Sequence, residues 1–562
     1  MTATGFICAN WGLEQTACKK EGRYTCKNCC LIIYCGPICQ KSHWSHHKIE
    51  CKSTVGKKTW QPAWVLEKRT PAFIRTGIGV TLGAEKYLWG NVSAIDIVKL
   101  GSNEGDRYAG DLRLLFAASG DLRNVVKTIS YLPSSYKHSL QVTINDRDFD
   151  IMARNVILLL VALVVEKSED ATDCIIHLWY SAVVRELDIE ILHNRIRPLI
   201  EDKPSGSLLA KTWTFGRCSL RIALKQSSWN HLLNLFNKPA GLTAEQAQRI
   251  RAANTLARSR RDYRDRYMSC LSPIQRICFN KFRQDGLLLP FGFPRHDFRE
   301  PNPTFFQTAD TWPMKDNADP LHGWSFEEVL NTTSGAATAD IYGKLYFHIR
   351  ELLHSFFHRI SSSKISFQLL NLEASSLPDH LDSDSFSRID VSNISDRGWL
   401  GIHRTLHLMV PLLQTPLQNP HATLITLFMN AVDETLTDGD KMKELTLHSR
   451  ATKYLLRYRP PNGTKSSEYD AALIKFTVGR ELVTPYDHIF DRFVKDFEFH
   501  KAGEIFGATM KEKHTIIEKW PYRLKLRPGQ PGAQDEFDRC MRQGVSGKER
   551  YVEWKRIHRG IL

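Results

Sequence analysis

The stretch RYTCKNCCLIIYCGPICQKSHWSHHKIEC, residues 23–51, decides how the chain begins to fold. Cys26 and Cys29 form a C-x2-C pair, Cys35 and Cys39 a C-x3-C pair, and His47 and Cys51 an H-x3-C pair. Such short spacings let two side chains from one turn of backbone grip a single ion. Zinc takes four ligands in a tetrahedron, and thiolate and imidazole suit it. Upstream, Cys8 and Cys18 complete a ladder of eight: Cys8, Cys18, Cys26, Cys29, Cys35, Cys39, His47 and Cys51. Eight ligands imply two ions. Every coordination place is then filled by protein, which leaves no open position for a catalytic water, so the zinc is expected to be structural. A segment this short cannot fold on apolar burial alone. Each structural site contributes on the order of 10 kcal/mol or more, most of it as folding energy. Cys30 is left over, as a buried thiol or as a competitor of Cys29. His43 and His46 read as surface residues, because only His47 keeps the three-residue gap to Cys51.

Cysteine usage elsewhere is sparse. Of 13 cysteines, the five beyond residue 51 (Cys174, Cys218, Cys270, Cys278, Cys540) are scattered. A secreted disulfide scaffold would distribute them through a short chain. The pattern reads instead as one metal cluster plus free thiols in a reducing compartment. The N-terminus lacks a signal-peptide pattern, and no apolar run reaches the roughly 18 residues of a membrane span. A cytoplasmic or nuclear location is expected, with no membrane partner. At 562 residues, 42% apolar and 24% charged, the chain has material for a sizeable core and for more than one domain. The net charge of +15 is carried by the ends. Residues 1–69 hold 11 lysines or arginines against 4 acids, and residues 501–562 hold 14 against 8. A nucleic-acid protein usually concentrates its charge on one binding domain, so this split argues against direct nucleic-acid contact.

The run Cys26–Cys51, with Tyr34 before Cys35, Gln40 after Cys39 and Trp44 before His47, resembles a MYND-type finger. In that family the ligands alternate between two ions in a cross-braced fold. The resemblance implies that Cys8, Cys18, Cys35 and Cys39 hold one zinc and that Cys26, Cys29, His47 and Cys51 hold the other. One departure is plain: nine residues separate Cys8 from Cys18 where the family has two, and Trp11 occupies the place of the expected cysteine. The resemblance further implies a protein-interaction module that docks a proline-containing peptide.

Beyond the finger (1–52), residues 53–85 read as a linker, with prolines and tryptophans and no clear period. From Tyr87, YLWGNVSAIDIVKL has the spacing of a helix start. Leu112–Ala118 is a short apolar run of the kind a buried parallel strand shows. A Ser119-Gly120-Asp121 turn leads into a helical pattern from Leu122, and Leu140–Ile144 is a second strand, followed by a long apolar helix. Strand, tight turn, helix, strand is a βαβ unit. The expected class is therefore α/β. Residues 86–185 form the first part of the sheet domain and 186–360 a helical insertion. Residues 361–435 carry the remaining strands (Ile365–Leu370, Ser387–Val391 and ATLITLFMN), and 436–562 a helical, basic C-terminal region. Within the insertion, seven arginines lie between Arg249 and Arg266, interleaved with Asp262 and Asp265. That pattern reads as a solvated helix face, with an acidic or phosphate-bearing partner as the sharper reading.

The blocks YLWGN, DLRLLFAASGDLRNVVKTI and INDRDFDIMARNVILLL, within Tyr87–Trp179, look like an uncharacterised domain of fungal MYND-finger proteins. They are also similar to the N-terminal domain of dynein axonemal assembly factors. That domain in turn resembles a Rossmann-like, methyltransferase-like sheet with large helical insertions. Such a sheet binds its ligand at the carboxyl ends of the strands, beside a glycine-rich first turn, with an acid after the second strand on the ribose. Gly120 and Asp146 are the candidate cofactor-binding residues, with Asp148 as a second acid. The turn has one glycine where a working fingerprint has two or three. No P-loop, HExxH, G-x-S-x-G or SET-type pattern is present. The leading functional expectation is an intracellular interaction adaptor or regulator with a non-catalytic body. The alternatives are a diverged S-adenosylmethionine-dependent methyltransferase and a zinc-finger transcription regulator.

Overall fold

The computed structural model describes residues 6–11, 18–77, 79–202, 208–446, 449–458, 469–543 and 546–557. A two-stranded ribbon, β1 (Tyr24–Thr25) and β2 (Ile33–Tyr34), and a helix, Pro37–Cys51, make the finger. A second ribbon pairs β5 (Val183–Arg185) with β8 (Phe298–Pro301). Among the described residues, nine strands form the main sheet: β3 (Leu112–Phe116), β4 (Leu140–Asn145), β6 (Leu208–Phe215), β7 (Cys218–Lys225), β9 (Ile365–Leu370), β10 (Arg388–Asp390), β11 (Thr423–Phe428), β12 (Ala508–Met510) and β13 (Arg550–Arg556). Their spatial order is β12-β13-β11-β10-β3-β4-β9-β7-β6. From β11 to β7 every neighbour runs parallel, while β13 runs antiparallel to β11 and β12, and β6 antiparallel to β7.

The central strands are apolar because both faces of the sheet are covered. Along β3, Leu114 and Phe116 belong to one apolar core and Leu115 to another, so successive side chains enter opposite cores. In β11 all six residues are buried. The larger core takes in the helix Phe149–Val164, which is buried on most of its surface, and the helix Ile341–Ser362, which packs on Arg123–Tyr131. The smaller core gathers the helices Gly401–Met409, Asp487–Asp496 and Phe499–Phe506.

Four departures from the sequence reading have physical causes. The region 186–360 is not helical throughout, because the hairpin of β6 and β7 extends the sheet beyond β9. Cys218–Lys225 alternates buried and exposed residues, as a half-buried strand should. The region 436–562 likewise supplies two strands, β12 and β13. YLWGNVSAIDIVKL is irregular. Its N–H groups are taken by the neighbouring helix, Ile95 donating to Asn124 Oδ1 (3.0 Å) and Ile97 to Thr128 Oγ1 (3.1 Å). Finally, the stretch 53–85 is anchored. Trp64 and Phe73 are buried, and Asp265 and Asp262 accept the backbone N–H groups of Ala63 (2.8 Å) and Ala72 (2.7 Å).

Candidate metal centre

The ribbon and the helix bring the ligand ladder together as two tetrads. Cys26 and Cys35 lie just beyond the paired ends of β1 and β2. The helix Pro37–Cys51, begun by a proline whose missing N–H costs nothing at that position, carries Cys39, His47 and Cys51. His47 and Cys51, four apart, share one helix face. Cys26, Cys29, His47 and Cys51 form one group, and Cys8, Cys18, Cys35 and Cys39 the other. Within each, the ligand atoms lie within 4.8 Å of one another.

The spacing fits zinc. A tetrahedron with zinc–sulfur bonds of about 2.3 Å has sulfur–sulfur edges of about 3.8 Å. The edges here are 3.8 Å for Cys26–Cys51, 3.6 Å for Cys18–Cys35 and 3.4 Å for Cys35–Cys39, and Cys29 Sγ lies 3.4 Å from His47 Nε2. Two structural zinc ions suit these donors. Burial pushes His47 down to about 4, so its imidazole is neutral and ready to coordinate. Burial, and then the charges of Cys26 and Cys51, push the Cys29 thiol far up, and only a cation in their midst reverses that.

Cys30 belongs to neither tetrad. It takes a left-handed backbone (φ 52°) as its N–H closes the knuckle on Cys26 O (2.8 Å), which turns its side chain out of the Cys29 position. The wide gap between Cys8 and Cys18 is closed by backbone pairing. Cys8 N–H donates to Lys20 O (3.1 Å), and Cys18 N–H to Asn10 O (2.9 Å). Part of the intervening loop, residues 12–17, lies outside the described residues. Trp11, standing where a cysteine was expected, donates its indole N–H to Gly292 O at 2.7 Å and so joins the finger to the body. Asn28 escaped the sequence reading: its amide donates to Cys51 Sγ (3.1 Å), the outer contact that orients a thiolate ligand. Its only signal was its place inside the C-x2-C pair.

The finger is built into the body. Leu31, Ile32 and Tyr34 share the larger core, Ala339 N–H donates to Cys30 O (3.1 Å), and Glu50 pairs with Lys281. What remains outward is the far side of the helix. Ile38 is 83% exposed and Ile49 77%, with Tyr24 63% exposed on β1.

Residues 16–51 match the MYND finger family, and residues 88–184 match a domain of unknown function, DUF4470. The chain thus contains a MYND zinc finger, a kind of module that generally serves protein interaction. Among curated proteins, the N-lysine methyltransferase SMYD2-B of Danio rerio is 35% identical over 60 residues, which is 10% of this chain and 13% of that protein. That match lies in the finger region and does not extend to the rest of that protein. No solved structure matches.

The candidate cofactor residues also meet. Gly120 and Asp146 follow β3 and β4, at the carboxyl end of the sheet. Gly120, in the left-handed region (φ 56°), donates its N–H to Asp146 Oδ2 at 2.9 Å, and Asp148 N–H donates to Oδ1 at 2.8 Å. Burial raises the Asp146 carboxyl above its ordinary range. Asp148 caps the helix Phe149–Val164 by accepting from Asp150 N–H (2.9 Å). After the turn, Asp121 accepts from Arg123 Nε (2.7 Å) and from Gly90 N–H (3.1 Å). The Arg123 guanidinium continues to the carbonyls of Val92 and Gly323. Among the described residues, no helix is long and apolar enough to cross a membrane.

Proposed function

We propose that the chain is an intracellular adaptor or regulator, cytoplasmic or nuclear, whose MYND finger docks a proline-containing peptide. The observation that carries this reading is the closure of both metal tetrads by four protein groups each. With no coordination place open, the ions hold shape, and the chemistry left to the finger is that of its surface. Ile38, Ile49 and Tyr24 offer apolar contact there, and the surrounding lysines favour a neutral or acidic partner. The test is affinity capture with the full chain carrying Ile38→Asp and Ile49→Asp. We expect zinc content and melting to stay at wild-type values while capture of a proline-containing partner drops at least about tenfold, since each lost apolar contact is worth on the order of 1–2 kcal/mol. Undiminished capture would place the docking surface elsewhere.

A second reading concerns the body. Counting β3, β4, β9, β10 and β11 as one to five, the spatial order is 3-2-1-4-5, with the direction of winding reversing between β3 and β10. That order supports a Rossmann-like doubly wound sheet. The strand end weighs against a working S-adenosylmethionine site. The Asp146 carboxylate is engaged by Gly120 and Asp148, and Asp121 is engaged by Arg123. We therefore expect no heat in a calorimetric titration with S-adenosylmethionine at millimolar concentration. Binding that vanishes in Asp146→Ala would instead establish the enzyme reading.

A further inference from the structure

The arginine-rich stretch between Arg249 and Arg266 does not lie on a solvated face throughout. Arg251 and Arg260 are buried and Arg264 and Arg266 half-buried. The last three line a cavity of about 550 Å³, together with Arg283 from the helix Pro273–Asp285 and with His322. Lys86 and Lys315 stand at the same cavity.

Its acids are already spent. Asp316 takes Arg260 Nε (2.7 Å) and Leu82 N–H (2.8 Å). Asp319 takes the Tyr342 hydroxyl (2.6 Å) and Leu321 N–H (3.0 Å), and Glu481 takes Lys548 (2.7 Å). Among the described residues, Arg264 and Arg266 form no ion pair. Arg264 reaches only the Ala257 carbonyl, at 2.8 Å. The deeply buried Arg283 pairs with Asp319 (3.7 Å) and donates to the Asp316 carbonyl (2.6 Å), while among the described residues Nε of Arg266, Nε of Arg283 and Nε2 of His322 have no hydrogen-bond partner. Half-buried guanidinium groups without a counter-ion, as Arg264 and Arg266 are, carry a desolvation cost that an anion seated between them would offset. Trp89, Tyr263, Tyr267 and Phe279 give the same cavity aromatic walls. The volume is that of a small-molecule site, and planar guanidinium forks suit phosphate oxygens.

We propose that this cavity binds a small phosphorylated molecule with a flat apolar body, its phosphate on Arg264 and Arg266 and its body against Tyr267 and Trp89. The site is independent of the finger and of the strand ends at Gly120. The probes are phenyl phosphate and inorganic phosphate, read by thermal melting and calorimetry on the full zinc-loaded chain. Phenyl phosphate is expected to raise the melting temperature and to bind roughly tenfold more tightly than inorganic phosphate, the gain from burying a ring. Arg266→Met should melt higher than wild type in phosphate-free buffer, because a half-buried charge without an ion pair is gone, and should lose the phenyl phosphate response. Arg264→Gln, which keeps polarity, should weaken binding about tenfold, the loss of one charge-assisted contact. No response of the wild type at millimolar phenyl phosphate, or an undiminished response in both variants, overturns the proposal.

Discussion

A Cys29→Ala chain is expected to hold one zinc ion instead of two and to melt far below wild type, whereas Cys8→Ala should also lose one ion at a smaller loss of stability. The asymmetry follows from burial. Cys26, Cys29, His47 and Cys51 are all buried, while only Cys8 of the other tetrad is. Without Cys29 and its ion the inner group leaves two thiols and an imidazole packed together away from water, and burial holds the His47 imidazole in its neutral form. Structural zinc contributes about 10–16 kcal/mol in isolated fingers, more than most domains have in reserve. Here the loss spreads, because Leu31, Ile32 and Tyr34 belong to the core they share with the sheet and its helices. Trp11 and Ala339 tie the finger's backbone to the body as well. Metal analysis of the purified variants and calorimetric melting check both parts. Two ions retained in Cys29→Ala would mean that Cys30 substitutes for it, against the turned-out geometry of the knuckle.

The tetrads were legible because ligand spacing is a local property: residues three or four apart must share a turn. The parallel strands were legible for a similar reason, since a strand buried on both faces has to be predominantly apolar, as LRLLF (Leu112–Phe116) and TLITLF (Thr423–Phe428) are. What was hidden depended on distant partners. β13 reads as RYVEWKR, too polar for a sheet interior. Glu553 nevertheless sits fully buried within it, because its carboxylate accepts the N–H groups of Thr515 (3.0 Å), Ile516 (2.7 Å) and Ile517 (2.9 Å) and pairs with Lys511. Of the seven arginines, Arg249, Arg258 and Arg261 are exposed, and the other four depart from a solvated face for the same reason. Interleaved acids suggested a solvated face, yet Asp262 and Asp265 are turned inward to hold residues 63–72, an attachment some two hundred positions away. The cofactor question was only half legible. The spacing of Gly120 and Asp146 marked the right end of the sheet, but that these two residues bond each other was a matter of three-dimensional closure.

Breaking the pair between Arg388 and Glu104 is expected to cost about 3–5 kcal/mol. Arg388 opens β10, one of the central strands, and its guanidinium lies wholly out of solvent with Glu104 Oε2 at 2.6 Å. The same guanidinium donates to the carbonyls of Ser387 (2.8 Å), His421 (3.0 Å) and Val98 (3.2 Å), and Asn419 donates to the other Glu104 oxygen at 3.1 Å. One ion pair thus fastens three loops around the strand's start. Glu104→Gln or Arg388→Met leaves the other member buried without its counter-charge, and the penalty is that of desolvation without Coulomb return. Replacing both, as Arg388→Met with Glu104→Leu, should recover much of the loss, because an apolar pair pays neither. The acid side follows from the same contact. Burial raises the Glu104 carboxyl, but the charge and hydrogen bond of Arg388 outweigh it and hold the group below its ordinary value. A depressed carboxylate adds stability that is present above the unfolded value near 4.3 and is lost as pH falls through the folded one. Urea unfolding of the two single variants and the double variant at neutral pH measures the cycle. Single variants as stable as the wild type would show that water, and not the partner charge, solvates this end of the sheet.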